Sequence, residues 1–376
     1  MQIIPLNHRR HCASPYFDIY NIGVTTMHFY WSQAPFYLKG LFINFGSRIF
    51  FQCETVLHNL LKSCSKKKKS MPELVKILEN EEYVLYSPKV EGIPESSFVF
   101  SSKPSRALLS QQWLAGKDVQ RLAEDASTVF LHIAKEHGPL KGLAPAQICE
   151  VVLLCGGIYY GIGKAFLRVF GKAAQQCFIG IKRYQEPDGS WKANASYSNF
   201  EALKDNATLV IGDTIASGAT MAKAISTIKE EVLRRNMRLN SIIVFSLAGG
   251  VDGVRRLRAV EEELRAIWPG FRMYYYGAEG IFHVEPNGTD MPFNNPNTVL
   301  TPEMSAELAK KPLIFEKMKC CIFDWGNRCK NPIGHWHEFI EFCDELLSKE
   351  TDPTKRAEIK RWRKKAERDI AKYQVA

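Results

Sequence analysis

No apolar run in this 376-residue chain reaches the roughly 20 residues that a helix needs to span a bilayer. Residues 27–51 come nearest and are broken by Ser32, Gln33, Pro35, Lys39, Asn44 and Arg48. No membrane span is therefore expected. The first residues place His8, Arg9, Arg10 and His11 before mixed aromatic and polar positions, without the compact apolar stretch and cleavage site of a secretory signal, so a cytoplasmic location is expected. Paired cysteines of the C-x₂-C kind are also missing. The ten cysteines are read as reduced thiols rather than a disulfide framework. Cys320, Cys321, Cys329, His335, His337 and Cys343 form a cluster open to two readings, a structural zinc site or thiols packed along a helix with Phe339, Phe342 and Leu346. Cys53 and Cys64 show no partner pattern.

Charge is nearly absent as a net quantity over most of the chain. The formal balance is +10, of which residues 66–69 supply four and residues 355–372 six, from nine Lys/Arg against three acids. Nucleic acid as a partner is thus possible but not required by charge. The tail either offers a basic face to RNA, an acidic partner or a membrane surface, or docks through the helical stripe Ile359, Trp362, Ala366, Ile370 and Tyr373 with its charges in water.

What is present is a large apolar fraction, 45%, against 24% charged residues, enough for a full core. Residues 1–70 are aromatic-rich without a clean period and are taken as an appendage of uncertain order. A helix is expected over 72–80, then an extended, Pro-punctuated segment to 104. Val119, Leu122, Ala126, Val129 and Ile133 make an amphipathic helix over 119–135 with Asp118 as N-cap. Short apolar strands are expected at 148–154, 177–184, 209–211, 241–247 and 271–276, alternating with helices, one of which starts at 165–170. That alternation predicts an α/β fold with a doubly wound, mostly parallel sheet spanning 71–300, and residues 301–376 form a helical extension ending in the basic tail.

Residues 207–225, ATLVIGDTIASGATMAKAI, read as a buried strand running into a small-residue loop and a helix. Met221, Ile225, Ile228 and Val232 give that helix an inward face. Its N-terminus follows Ala216, Ser217, Gly218, Ala219 and Thr220, whose main-chain N–H groups suit a phosphate. This stretch resembles the signature of type I phosphoribosyltransferases: a strand ending in two acids, two small or apolar residues, then a Thr/Ser-Gly-x-Thr loop. Ser217, Gly218 and Thr220 match it, Asp213 stands at the second acid, and Gly212 stands at the first.

The resemblance implies further roles. Gly156 and Gly157, after the first central strand, take the place of the pyrophosphate loop, and Lys182 and Arg183, at the end of the next strand, are placed beside the pyrophosphate. Residues 185–197 are similar to the hairpin that closes over substrate, with Asp188 and Gly189 at its turn and Trp191 and Tyr197 as candidate lid residues. Residues 277–290 resemble the base-binding segment of uracil phosphoribosyltransferases, which puts Phe282, Val284 and Pro286 near the base and Asp290 near the ribose or attacking base. His283 and Glu285 are read as acid–base groups or as residues flanking a strand end. The implied activity is transfer of the phosphoribosyl group of phosphoribosyl pyrophosphate to a nitrogenous base, a pyrimidine such as uracil being one option, with Mg²⁺ carried mainly by the substrate pyrophosphate and Asp213 and Asp290 catalytic. A homo-oligomer is expected. The Gly212 departure keeps open a regulatory protein that binds phosphoribosyl pyrophosphate or a nucleotide without turning it over.

Overall fold

The computed structural model describes residues 73–154, 156–187, 191–320 and 325–375. The appendage, the 66–69 lysines, Cys53, Cys64, Cys155, Cys321 and the Asp188 and Gly189 turn lie outside the described residues. Strands β1 (Glu73–Glu79), β2 (Tyr83–Lys89) and β3 (Ser96–Ser102) form an antiparallel meander, followed by helices α1 (Lys103–Ser110) and α2 (Lys117–His137). Then come β4 (Ile148–Leu153), α3 (Ile162–Phe170), the hairpin β5 (Gln175–Gln185) and β6 (Trp191–Asn199), β7 (Ala207–Gly212), α4 (Ala219–Arg234), β8 (Leu239–Ser246), α5 (Val251–Ile267) and β9 (Arg272–Ala278). One nine-stranded sheet runs β1-β2-β3-β9-β8-β7-β4-β5-β6. Its five central pairings, from β3 to β5, are parallel, and the edges are antiparallel. The mostly parallel α/β sheet is the expected class.

Strand alternation deals the side chains to two cores. Leu209, Ile211, Ile242 and Val244 face α4 and α5, meeting Met221, Ile225, Ile228 and Val232, while Val210, Ile243 and Phe245 face α2 and α3, meeting Phe130 and Phe166. Two expectations fail locally. Residues 72–80 hold strand β1, not a helix, because Asn80 closes a turn: its Oδ1 accepts from the Glu82 and Tyr83 amides, each at 2.9 Å, and the chain folds back to pair with β2. Asp118 does not cap α2; Gly116, at φ +62°, takes that place, and Asp118 sits in the first turn, where it still complements the helix dipole.

After β9 the chain adds β10 (Gly280–Ile281), β11 (Val299–Leu300), α6 (Pro302–Ala309), α7 (Pro312–Lys317), α8 (Trp325–Lys330), α9 (Pro332–Lys349) and α10 (Pro353–Val375). These helices join the unit that begins at Met71 through a third core, in which Ile359, Trp362 and Ala366 of α10 pack with Trp336, Phe339 and Cys343 of α9. The tail stripe therefore docks, as one of its two readings held. Cys320, Cys329 and Cys343 are buried and form no disulfide among the described residues, and burial pushes the thiols of Cys329 and Cys343 up to about 12. No helix of the described residues is long and apolar enough to cross a membrane.

His335 is fully buried, and its Nε2–H donates to the Gln112 carbonyl at 2.8 Å. Burial, aided by the nearby Arg328 guanidinium, pushes the imidazole from 6.5 down to about 3. The unfolded chain thus binds a proton that the native state refuses. The stabilisation is full above pH 6.5 and is lost as pH falls toward 3, at up to about 1.4 kcal/mol per pH unit. Denaturant titrations at pH 7.5 and 5 are expected to show this decline, and His335→Gln to flatten it.

Glu279 joins β9 to the helical extension. It is fully buried at φ +64°, and its carboxylate accepts from Ser101 Oγ (2.7 Å), the Ser102 amide (2.8 Å), Ser105 Oγ (2.5 Å) and Thr301 Oγ1 (2.9 Å). Ser102 and Thr301 are the N-caps of α1 and α6, so one buried acid ties two helix starts to the sheet. Burial pushes its pKa up against those four donors. Glu279→Gln turns an amide NH₂ toward donors it cannot satisfy, and an equilibrium unfolding curve should show a loss of about 1–3 kcal/mol.

Candidate functional site

The sheet order changes direction between β4 and β7. From β4 the chain crosses through α3 to β5 on one side, and from β7 it crosses through α4 to β8 on the other. The loops leaving these two neighbours diverge and open a crevice at their carboxyl ends, the place where open α/β sheets bind ligands. Gly156 and Gly157 leave β4 there, and residues 213–218 leave β7.

The two loops touch. A Cβ on Gly157 would lie 2.6 Å from the Gly212 carbonyl oxygen, so only glycine lets the β4 loop approach so closely. Tyr160, which the sequence reading passed over, joins the site together. Its hydroxyl lies 3.1 Å from Thr214 Oγ1 after β7 and accepts from the Leu247 amide after β8, also at 3.1 Å. The ring is fully buried and meets Phe245 edge-on at 5.4 Å. Nothing in the run Gly157-Ile158-Tyr159-Tyr160-Gly161 marks one tyrosine as the joint; only the convergence of three loops does.

Asp213 follows β7 at 7% exposure, with its amide donating to the Phe245 carbonyl and its Oδ1 accepting from the Thr214 amide at 2.9 Å. Gly212 is a different matter from a simply missing acid. A Cβ there would lie 2.6 Å from Ile162 Cδ1 and 2.9 Å from Tyr160 Cδ1, so the space that a first acid would fill holds those side chains.

Ala216 and Ser217 are half-buried and Gly218 begins α4 at φ +75°. The leading amides of α4, at Ala219, Thr220 and Met221, have no intrahelical acceptor, as at any helix start, and no side chain caps them among the described residues. The loop is braced from behind: the Ile215 amide donates to Ala248, the Gly250 amide to Ile215, and Gly253 of α5 packs so tightly that a Cβ would come 2.5 Å from the Ala216 carbonyl oxygen. Rigid, small-residue walls with unpaired amides at one end suit an anion.

The remaining expected residues are placed less uniformly. Lys182 and Arg183 are exposed on β5 where it pairs with β6, opposite Asn194 and Ala193. Successive strand residues point to opposite faces, so Lys182 and Arg183 leave the hairpin on opposite sides. Of the segment expected as a hairpin over 185–197, the described residues hold β6, which returns antiparallel along the longer strand β5. Phe282 is fully buried, its ring 6.2 Å from Phe293, and its main chain is paired on both sides, donating to Gly249 and accepting from Val251. Its ring and both of its main-chain polar groups are thus engaged within the protein. Val284 packs against Gly250, and Pro286 is exposed. Asp290 is ion-paired with Lys319 in a cavity of about 480 Å³ that also contains Glu285, Glu316 and Lys317. Lys317 and Lys355 both pair with Glu316, so the charges of this cavity are largely matched internally.

No protein-family model matches the chain, and no curated protein does. Solved structures to which it is similar include a hypoxanthine phosphoribosyltransferase from Staphylococcus aureus, 14% identical over 35% of this chain and 65% of that one, with a TM-score of 0.22. Another is the hypoxanthine phosphoribosyltransferase from Trypanosoma cruzi complexed with the product IMP, 15% identical over 52% of this chain and 92% of that one, with a TM-score of 0.23. Scores this low transfer no residue role, and the site's reading rests on its own geometry.

Proposed function

We propose that the chain binds phosphoribosyl pyrophosphate across the β4/β7 crevice and transfers its phosphoribosyl group to a nitrogenous base. The observation that carries this reading is the meeting of two loops at the switch point, one beginning at Asp213 and leading into α4, whose first amides have no intrahelical acceptor, the other a glycine pair that touches the end of β7. In the reaction a base nitrogen bonds to C1′ as the C1′–O bond breaks, pyrophosphate leaves with the electron pair, and the base gives up its proton. Positive charge develops on the ribose in between. The chain's task is to hold two anionic ends apart and in line, a task of positioning and fixed dipoles. Residues 216–220 take the 5′-phosphate, Gly156 and Gly157 the pyrophosphate, and Asp213 the ribose hydroxyls.

Among the described residues no group of three or more His, Cys, Asp or Glu could hold a metal ion. Mg²⁺ would ride on the pyrophosphate oxygens and its own waters, its usual way of meeting nucleotide substrates. The acceptor base is left to experiment: the protein is incubated with phosphoribosyl pyrophosphate, Mg²⁺ and a panel of purine and pyrimidine bases, and pyrophosphate release is followed. Release with no base in the panel would sink the transferase.

The crowding around Gly212 favours a second reading, binding without turnover, since only one acid can serve the ribose. Saturable thermal stabilisation by phosphoribosyl pyrophosphate without release of pyrophosphate would select it. Both readings need the phosphate loop. Thr220→Val removes a hydroxyl from the first turn of α4 and is expected to weaken phosphoribosyl pyrophosphate binding by about 1.5–3 kcal/mol in a calorimetric titration. Unchanged affinity would remove the phosphate from this loop.

A further inference from the structure

Helix α10 carries more positive charge than its packing uses. Arg363 pairs with Asp344 and Glu367, Lys355 with Glu316, and Arg356 donates to the carbonyls of Leu347 and Glu350. Lys365 lies 3.5 Å from Asp369. Arg361, Lys364 and Arg368 are exposed and make no ion pair among the described residues. Their spacing of three and four residues sets them on one face of the helix, where like charges repel and cost helix stability. The fold gains nothing visible from that arrangement.

The three cations border a cavity of about 400 Å³, within the size range of small-ligand sites. Its other wall is aromatic: Trp113, half-buried, stacks on the buried Trp362 with ring centroids 6.3 Å apart and planes 28° apart. Trp113 stands on a short loop between α1 and α2 that is fixed from several sides. Its carbonyl accepts from Trp336 Nε1 at 2.9 Å, the Gln112 carbonyl accepts from His335, and the Arg328 guanidinium donates to the carbonyls of Gln111 and Leu114. A rigid indole beside three uncommitted cations matches a ligand that joins a flat ring to a phosphate. Glu358 is the one acid among the lining residues, against the cations of Arg361, Lys364, Lys365 and Arg368.

We infer that this cavity between α10 and the Trp113 loop is a nucleotide-unit site, with a base against Trp113 and phosphate oxygens on Arg361, Lys364 and Arg368. The unit comes either from a free nucleotide or from a single RNA strand. The site is separate from the β4/β7 crevice and does not depend on the transferase reading.

The test uses the full chain with a fluorescently labelled single-stranded RNA of mixed sequence, read by anisotropy, with nucleoside monophosphate and phosphatidylserine vesicles as competitors. Binding through three phosphates is expected to give a log–log salt slope of about −2, and R361Q/K364Q/R368Q, all at exposed positions, to lose about a hundredfold in affinity at 0.1 M salt. Trp113→Leu is expected to lose about fivefold or more, and Trp113→Phe, which keeps a ring, to restore much of it. Melting curves matched to wild type establish that each variant is folded, and the exposed triple variant keeps the test open should the Trp113 variants fail to fold. Competition by the monophosphate at its own low concentration assigns a free nucleotide, and competition by unlabelled strand alone assigns RNA. Absence of binding, unchanged affinity in the triple variant, equal binding by folded Trp113→Leu, or preferential binding of vesicles would each overturn the inference.

Discussion

Replacing Asp213 by asparagine is expected to lower the rate of pyrophosphate release by about 10²–10³, equivalent to about 2.7–4 kcal/mol of transition-state stabilisation, while affinity for phosphoribosyl pyrophosphate changes far less. The asymmetry follows from where the charge is needed. In the ground state the ribose is neutral, and an amide accepts a hydroxyl hydrogen bond almost as a carboxylate does. In the transition state the sugar becomes cationic, and a carboxylate at 7% exposure acts through little water. The fold should survive the change, since asparagine keeps the Oδ1 that accepts from the Thr214 amide. Steady-state kinetics on wild type and variant decide the matter: equal kcat would remove Asp213 from the chemistry, and weaker binding with that kcat unchanged would make it a ground-state contact.

The parts of this site that could be read from sequence are those set by local pattern. Buried parallel strands are continuous apolar runs, so β4, β5, β7, β8 and β9 stand within two residues of their expected ends, and the α4 face of Met221, Ile225, Ile228 and Val232 follows from helical spacing alone. Residues 73–79 show the limit of that logic. Leu74 and Leu78 are spaced for a helix, but the Asn80 turn and a seven-residue partner strand decide otherwise, and pairing of that kind is invisible to a short window. The same limit hid the role of Tyr160, which depends on three loops distant in sequence, and of Glu279, whose carboxylate anchors two helix caps that lie far from it in the chain. Phe282 is placed near the base by the resemblance of residues 277–290 alone, and that resemblance carries no information on its burial, which is set by packing against Phe293.

Gly212→Asp, which on paper restores a second acid to the β7 end, is expected to unfold the protein or come close to it. The new Cβ arrives 2.6 Å from Ile162 Cδ1 and 2.9 Å from Tyr160 Cδ1, and both side chains are at most 1% exposed. Tyr160 cannot turn aside without losing its bonds to Thr214 and to the Leu247 amide. Overpacking of this kind costs about 1–3 kcal/mol, and a carboxylate forced into the same dry space adds several more, which together rival the whole stability of an ordinary domain, about 5–15 kcal/mol. Gly212→Ala separates the two contributions, since it adds the Cβ without the charge and should lose only the first. Urea titrations of the three proteins give the comparison directly. A Gly212→Asp variant as stable as wild type would show that the Tyr160 side can yield, and a gain in pyrophosphate release on top of that would mean the crevice still accepts a paired acid. The expected ordering, wild type above Gly212→Ala above Gly212→Asp, would instead mean that the β7 end has been repacked around one carboxylate, so that any chemistry here must run on Asp213 alone.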